Sequence, residues 1–200
     1  MILGLKKTEF VALYLIFLVS SSVVAWIIIN PPQFEQFATV SVLGEDMRAT
    51  NYFTGNSSKI QSQTVFRWHI QAYNHIGATQ LFLLKVKLAN ETTAGPVYKS
   101  NLPSAGVSLS NFTRAVVKNE TWTQPLNWSI LSAQGNATIQ QMQVNGYTKD
   151  LSLTSSLGRN FRIVIELWSY DLESDGFVFT FIASARLSSV WNQIWFDLKG

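Results

Sequence analysis

Residues Phe10 to Ile29 carry no charged side chain, and this limits the N-terminal part of the chain to one kind of structure. Twenty such residues at a rise of about 1.5 Å each reach roughly 30 Å, the thickness of the hydrocarbon layer of a bilayer. In lipid the backbone finds no water to bond, so a spanning segment must pair its own N–H and C=O groups as a helix. Lys6 and Lys7 lie on the short side of the run, which predicts an N-terminus in the cytoplasm and a C-terminal domain outside. Asn30-Pro31-Pro32 closes the run, because Pro31 cannot continue a helix and drives Asn30 toward an extended shape. The expected division is a cytoplasmic terminus at 1–9, a transmembrane signal anchor at 10–29, a linker at 30–36 and an extracytoplasmic domain at 37–200. A cleaved signal peptide is the competing reading, since Ser20 to Ala25 are small residues that permit a cut after Ala25. Trp26-Ile27-Ile28-Ile29 carries the run past that point, and Trp26 suits an interfacial position, which favours an uncleaved anchor.

Beyond Pro32 the hydrophobic period is two, the period of strands. Phe66, Trp68, Ile70 and Ala72 alternate with Arg67, His69, Gln71 and Tyr73. Phe82, Leu84, Val86 and Leu88 form one face, with Leu81, Leu83, Lys85 and Lys87 on the other. Phe161, Ile163, Ile165 and Leu167 alternate with Arg162, Val164, Glu166 and Trp168. Phe177, Phe179 and Phe181 make a further face, and Trp191 to Leu198 reads as a last strand with Ile194, Phe196 and Leu198 on one side. Asn74-His75-Ile76-Gly77 separates two strong strands at hairpin distance, and Asn145-Gly146 is a turn dipeptide. Thr92 to Ser110, rich in Gly, Pro and Ser, reads as a long loop, and Leu172 to Gly176 as an acidic connection. The fold class expected is all-β, an antiparallel Ig-like β-sandwich preceded by a single transmembrane helix. The likeness to immunoglobulin domains is architectural only, because the chain has no Cys.

Six Asn-x-Ser/Thr sequons begin at Asn56, Asn90, Asn111, Asn119, Asn127 and Asn136, which makes these the N-glycosylation candidates of an exported domain. None follows Thr138, so the remainder is read as core or contact surface. Charged residues are only 14% of the chain, against seven Trp and 13 Phe, which argues against disorder and for a surface covered by sugar, lipid or a partner. A net charge of +3 without a basic cluster gives no footprint for nucleic acid.

No catalytic constellation, cofactor site or metal site emerges from the residues. His69 and His75 are six apart, a spacing without chelate logic. Glu166, Asp171, Glu173 and Asp175 are the carboxylates from which a glycosidase pair would have to be drawn, and the last three share one acidic turn that reads as solvated, with weak calcium binding as its alternative. Arg67, Lys85, Lys87, Arg114 and Arg162 alternate with apolar neighbours and read as the wet face of a half-buried sheet. Trp122, Trp128, Trp168, Trp191 and Trp195 read as core or sheet-face residues, Trp191 and Trp195 being the most plausible partner or membrane contacts.

Val65 to Asn90 resembles the strand–turn–strand core of the domain of unknown function family 1616, a set of archaeal membrane proteins, with Asn74-His75 at the place of that family's Asn-His turn. Leu43-Gly44 followed by Asn51-Tyr52 is similar to its opening segment. Lys118 to Leu126 resembles its Asn-Glu-Thr-Trp segment, Leu157 to Phe161 its late Gly-containing strand, and Ile194-Trp195-Phe196 its closing aromatic strand. The resemblance spans about residues 34 to 198. Typical members carry several membrane segments where this chain has one. The resemblance implies an archaeal envelope protein and no particular activity.

The function expected on these grounds is non-enzymatic: a membrane-anchored extracytoplasmic glycoprotein, a structural or interaction component of the cell envelope or an accessory subunit of a membrane complex. Its expected partners are the lipid bilayer and another envelope or membrane protein. The alternatives are a filament subunit that donates Gln33 to Leu43 as a strand after N-terminal cleavage, and a carbohydrate- or metal-binding module.

Overall fold

The computed structural model describes residues 7–30, 35–135, 137–156, 159–183 and 186–199, with the side chains of 56, 182, 183 and 186 left aside. Two compact units are present, an N-terminal helix and a β-domain.

Helix α1 runs Lys7–Ile29, three residues longer at its start than the charge-free run. Apolar residues lie all round it, which fits a helix surrounded by lipid. Its three consecutive serines use their own helix as partner. Ser20 Oγ donates to Phe17 O at 3.0 Å, and Ser21 Oγ and Ser22 Oγ to Leu18 O at 3.0 and 2.7 Å. Each hydroxyl is thus satisfied without water, the condition that a hydrocarbon environment sets. Among the described residues this is the one helix long and apolar enough to cross a membrane.

The β-domain is built from β1 (Phe37–Leu43), β2 (Lys59–Ile60), β3 (Phe66–His75), β4 (Gln80–Ala89), β5 (Val107–Val116), β6 (Thr121–Gln134), β7 (Thr138–Val144), β8 (Tyr147–Thr154), β9 (Phe161–Asp171), β10 (Gly176–Val178), β11 (Thr180–Ala183) and β12 (Arg186–Leu198). The first sheet has the order β1-β3-β6-β7-β8. The second has the order β11-β12-β9-β4-β5, with β10 beside β9 and β2 beside β12. All pairings are antiparallel except β2 with β12. The chain is therefore a β-sandwich preceded by a single apolar helix.

The inward faces are those the alternation predicts. Phe66, Trp68, Ile70 and Ala72 of the first sheet meet Phe82, Leu84, Val86, Leu88, Phe161, Ile163, Ile165 and Leu167 of the second, all buried. Aromatic rings join the sheets at one end. Phe66 and Trp68 lie 4.7 and 5.0 Å from Trp128, which lies 5.5 Å from Phe196, itself 5.7 Å from Phe161. Phe53, carried in from the segment between β1 and β2, packs edge-on against Phe66, Trp68 and Trp128. Each such pair is worth about 0.5–1.5 kcal/mol beyond the area it buries. These rings bridge the two layers without a disulfide.

Three expectations need correction. The Asn74–Gly77 turn does not close a hairpin, because β3 belongs to the first sheet and β4 to the second. Alternation gives each strand one apolar face but is the same for a hairpin and for an arch between sheets. The arch is fixed by Asn74, fully buried, whose Nδ2 donates to Ala78 O and Val116 O, both at 2.8 Å, while its Oδ1 accepts Ile76 N–H at 3.0 Å. Second, the expected loop 92–110 ends earlier, since Val107 already opens β5, and residues 90–106 form an ordered strap over the outer side of the second sheet. Third, Lys87 and Arg162 do not face solvent: each is 8% exposed beneath that strap.

Asn145-Gly146 forms the two-residue loop between β7 and β8, with φ of 47° and 86°. Positive φ at both positions is the type I′ turn that the twist of a hairpin requires. Within the stretch Gln33 to Leu43, read as a possible donated strand, Phe37–Leu43 pairs with β3 of its own chain and buries Ala38, Val40 and Val42.

Candidate functional site

The outer face of the second sheet carries the densest polar chemistry among the described residues. Directly opposed pairs set its rows. Lys85 stands across from Glu166 and Glu166 across from Trp191; Ala89 stands across from Arg162 and Arg162 across from Trp195. A bare sheet face would leave these side chains in water. Here the strap 90–106 lies over them, because Ser104 is gripped from two sides: its N–H donates to Glu166 Oε1 at 2.5 Å, and its C=O accepts from Lys87 Nζ at 2.7 Å.

Glu166 is fully buried and accepts from three donors. Lys87 Nζ lies 2.9 Å from its Oε2, Trp168 Nε1 donates to the same oxygen at 3.0 Å, and Ser104 N–H takes the other oxygen. A buried carboxylate so satisfied is a structural group, and removing one partner of such a pair costs about 3–5 kcal/mol. Lys85 sits 3.4 Å over the Trp168 ring, and its ammonium is held below the usual lysine range by burial and by Lys87, against the pull of Glu166.

Arg162 is the second buried cation. Its Nη2 donates to Thr93 O at 2.6 Å and its Nη1 to Gln193 Oε1 at 3.1 Å, and its guanidinium lies 4.6 Å over the Trp195 ring. Gly95 lies close against it; a side chain there would begin 3.4 Å from Nη2. Its Nε has no partner, and Arg162 joins no ion pair among the described residues. Burial pushes the guanidinium down from its usual range.

The other expected residues scatter. His69 Nδ1 lies 3.3 Å from Gly44 O, and His75 Nδ1 lies 2.7 Å from Asn119 Oδ1, so the two histidines serve different local contacts. Asp171 caps its own turn through Ser174, whose hydroxyl and N–H hold the carboxylate below its ordinary range, and Asp175 accepts from Tyr170. Among the described residues no group of three or more His, Asp or Glu is arranged to hold a metal ion. Arg67 and Arg114 form exposed pairs with Glu45 and Glu120. Trp122 and Trp128 are core; Trp168 and Trp191 are half-buried on the outer face; Trp195 is 40% exposed. At one end of the sandwich, Glu45, Asp46, Asn51, Tyr52, Phe53 and Arg67 line an open cleft of about 570 Å³.

The sequons also differ. Asn111 on β5, Asn119 in the β5–β6 turn and Asn127 on β6 are exposed. Asn111 lies across from Lys85 on the outer side of the second sheet, and Asn127 across from Arg67 on the outer side of the first. Asn90 is 7% exposed; its Nδ2 donates to Thr154 O at 2.7 Å, and its Oδ1 accepts from the N–H groups of Thr92 and Thr93. Asn56 lies in a short 3-10 turn, Thr54–Asn56, and Asn136 falls outside the described residues.

The burial of Lys87, Glu166 and Arg162 left no trace in the period-two pattern, which reports one face of a strand and not what a distant loop lays on the other. The one available signal was the unusual face Arg162, Val164, Glu166, Trp168, whose Val and Trp are odd company for a solvated surface. No family model, curated protein or solved structure matches the chain.

Proposed function

We propose that this chain is a membrane-anchored extracytoplasmic glycoprotein that serves as an interaction component of a cell envelope or as an accessory subunit of a membrane complex. The observation that carries this reading is helix α1, whose length, apolar surface and self-satisfied serines fit a lipid environment. The lysines before it support an inward N-terminus, and the exposed sequons Asn111, Asn119 and Asn127 support an exported β-domain. The buried Lys87–Glu166 pair supports a structural rather than catalytic use of the most chemical face, since its carboxylate is already fully engaged.

Intact-mass measurement and peptide mapping of the protein from native membranes test this. The expected result is an N-terminus that retains residues 1–25 and glycan on Asn111, Asn119 or Asn127, with chemical crosslinking then capturing a membrane or envelope neighbour. A mature chain that begins after Ala25 and is released from the membrane would overturn the anchor.

A further inference from the structure

Arg162 is a buried cation without a buried anion. Its surroundings neutralise it only through dipoles, the Thr93 carbonyl and the Gln193 amide oxygen, and through the face of Trp195. A charge kept from water in this way is normally matched by an opposite charge. Nε and Nη2 form one edge of the guanidinium fork. Nε has no partner and is closed to solvent, and Nη2 donates to Thr93, so lifting Thr93 opens an edge whose two N–H groups grip a carboxylate bidentately. Thr93, Gly95, Pro96 and Gln193 around it are half-buried, so the part of the strap that covers it is itself in contact with solvent.

Two neighbours narrow the chemistry of what fits. Trp195 is 40% exposed, which leaves part of a large flat apolar surface beside the cation. Gln193 commits its Oε1 to Arg162, which leaves its amide N–H groups free to meet an oxygen. A fork for a carboxylate, a flat indole and an amide donor at one spot match a sugar ring that carries a carboxylate, with its C–H face on the indole. No sequon of this chain lies on β9 or β12, Asn111 is on β5, beyond β4 and β9 from β12, and Asn90 at the start of the strap has its amide buried against Thr154 O, so the saccharide would come from another molecule.

We propose that Arg162, Gln193 and Trp195 form a binding site for an acidic saccharide, a uronate-type sugar whose carboxylate pairs with Arg162 and whose ring rests on Trp195. Entry lifts Thr93–Pro96, and the carboxylate takes over from the Thr93 carbonyl. This deepens the envelope-component reading by giving its partner a chemistry, yet its test does not depend on the anchor.

Calorimetric titration of the full chain in detergent with tri-galacturonate, with the neutral trisaccharide of the same linkage and with tri-glutamate tests it. The expected result is saturable binding of the uronate, at least about tenfold weaker binding of the other two, and a loss of about tenfold or more on Trp195→Ala and on Arg162→Lys. Trp195→Ala lowers the melting temperature but keeps a single cooperative transition, so it decides the matter if Arg162→Lys fails to fold. No uronate binding up to millimolar concentration, equal binding of the neutral sugar or of tri-glutamate, or full binding by Trp195→Ala would overturn the site. A chain found cleaved after Ala25 would overturn the anchor and leave this result standing.

Discussion

Asn74 supplies three hydrogen bonds at the point where the chain leaves the first sheet for the second, and no other residue type of its size offers both donors and an acceptor there. Its replacement by Ala strands the buried Val116 carbonyl and unmakes the part-buried bonds to Ala78 O and Ile76 N–H. Asn74→Ala is expected to cost about 2–4 kcal/mol in denaturant unfolding, the penalty for several unmade buried hydrogen bonds. Glu91 gives a prediction in pH. The Ser155 hydroxyl at 2.6 Å and the Ser156 N–H at 2.8 Å hold its carboxylate below the ordinary range. A carboxylate depressed in the folded state stabilises fully above its unfolded pKa of about 4.3, and loses that contribution as pH falls through the lower folded value. The acid limb of the stability curve is therefore expected to be shallower in Glu91→Gln than in the parent, measured by thermal melts between about pH 2 and 6. At this scale the sequence was legible where a residue's neighbours in the chain decide its role. The positive φ of Asn145 and Gly146 follows from the dipeptide itself. Asn74 is bonded to Val116, 42 residues away, and Arg162 to Thr93, 69 residues away, which no local pattern encodes.

Strand edges and the strap decide behaviour at the level of elements. The edge strands β5 and β8 each pair on one side only, a form that invites addition of a foreign strand. Each carries a cation on its inward face. Arg114 opposes the core residue Phe82, and Lys149 opposes the core residue Met142. A second copy pairing at either edge would have to bury that charge. Lys149→Val is expected to raise self-association, seen as a shift from monomer toward larger species in sedimentation velocity at equal detergent. The strap makes a converse case, since charge here fastens rather than repels. Glu166→Ala leaves Lys87 buried and unpaired and removes the acceptor of Ser104 N–H. Its expected cost is about 3–5 kcal/mol, with amide exchange rising first at residues 97–105 and only later in β9. The strands themselves were legible from period two. The strap was not, because a Gly-, Pro- and Ser-rich stretch has the same composition whether it is loose or clamped.

Across the whole molecule, the sandwich is closed by its ends. β12 supplies Phe196 to the aromatic cluster, gives β9 its second neighbour, and holds β2 by parallel pairing of Asp197 with Lys59 and Leu198 with Ile60. Asp197 N–H donates to Ser58 O and Lys199 N–H to Ile60 O. Deleting residues 186–200 is expected to abolish cooperative unfolding rather than to trim an edge, as measured by the loss of a single melting transition. The same closure sets a timetable during synthesis. A ribosome delivers the chain N-terminus first, so residues 161–167 of β9 have no partner on their β12 side, and β2 no strand partner among the described residues, until β12 emerges. Every sequon, the last ending at Thr138, has by then been made. Asn90, sealed in the finished domain, has Thr154 as the partner of its Nδ2, so it stays open until that residue has been made. A glycan added early would therefore obstruct the strap's anchorage, and one added late could not reach it. On the glycoprotein reading proposed above, modification of Asn90 is thus a race between a sugar transferase and the closing of the strap.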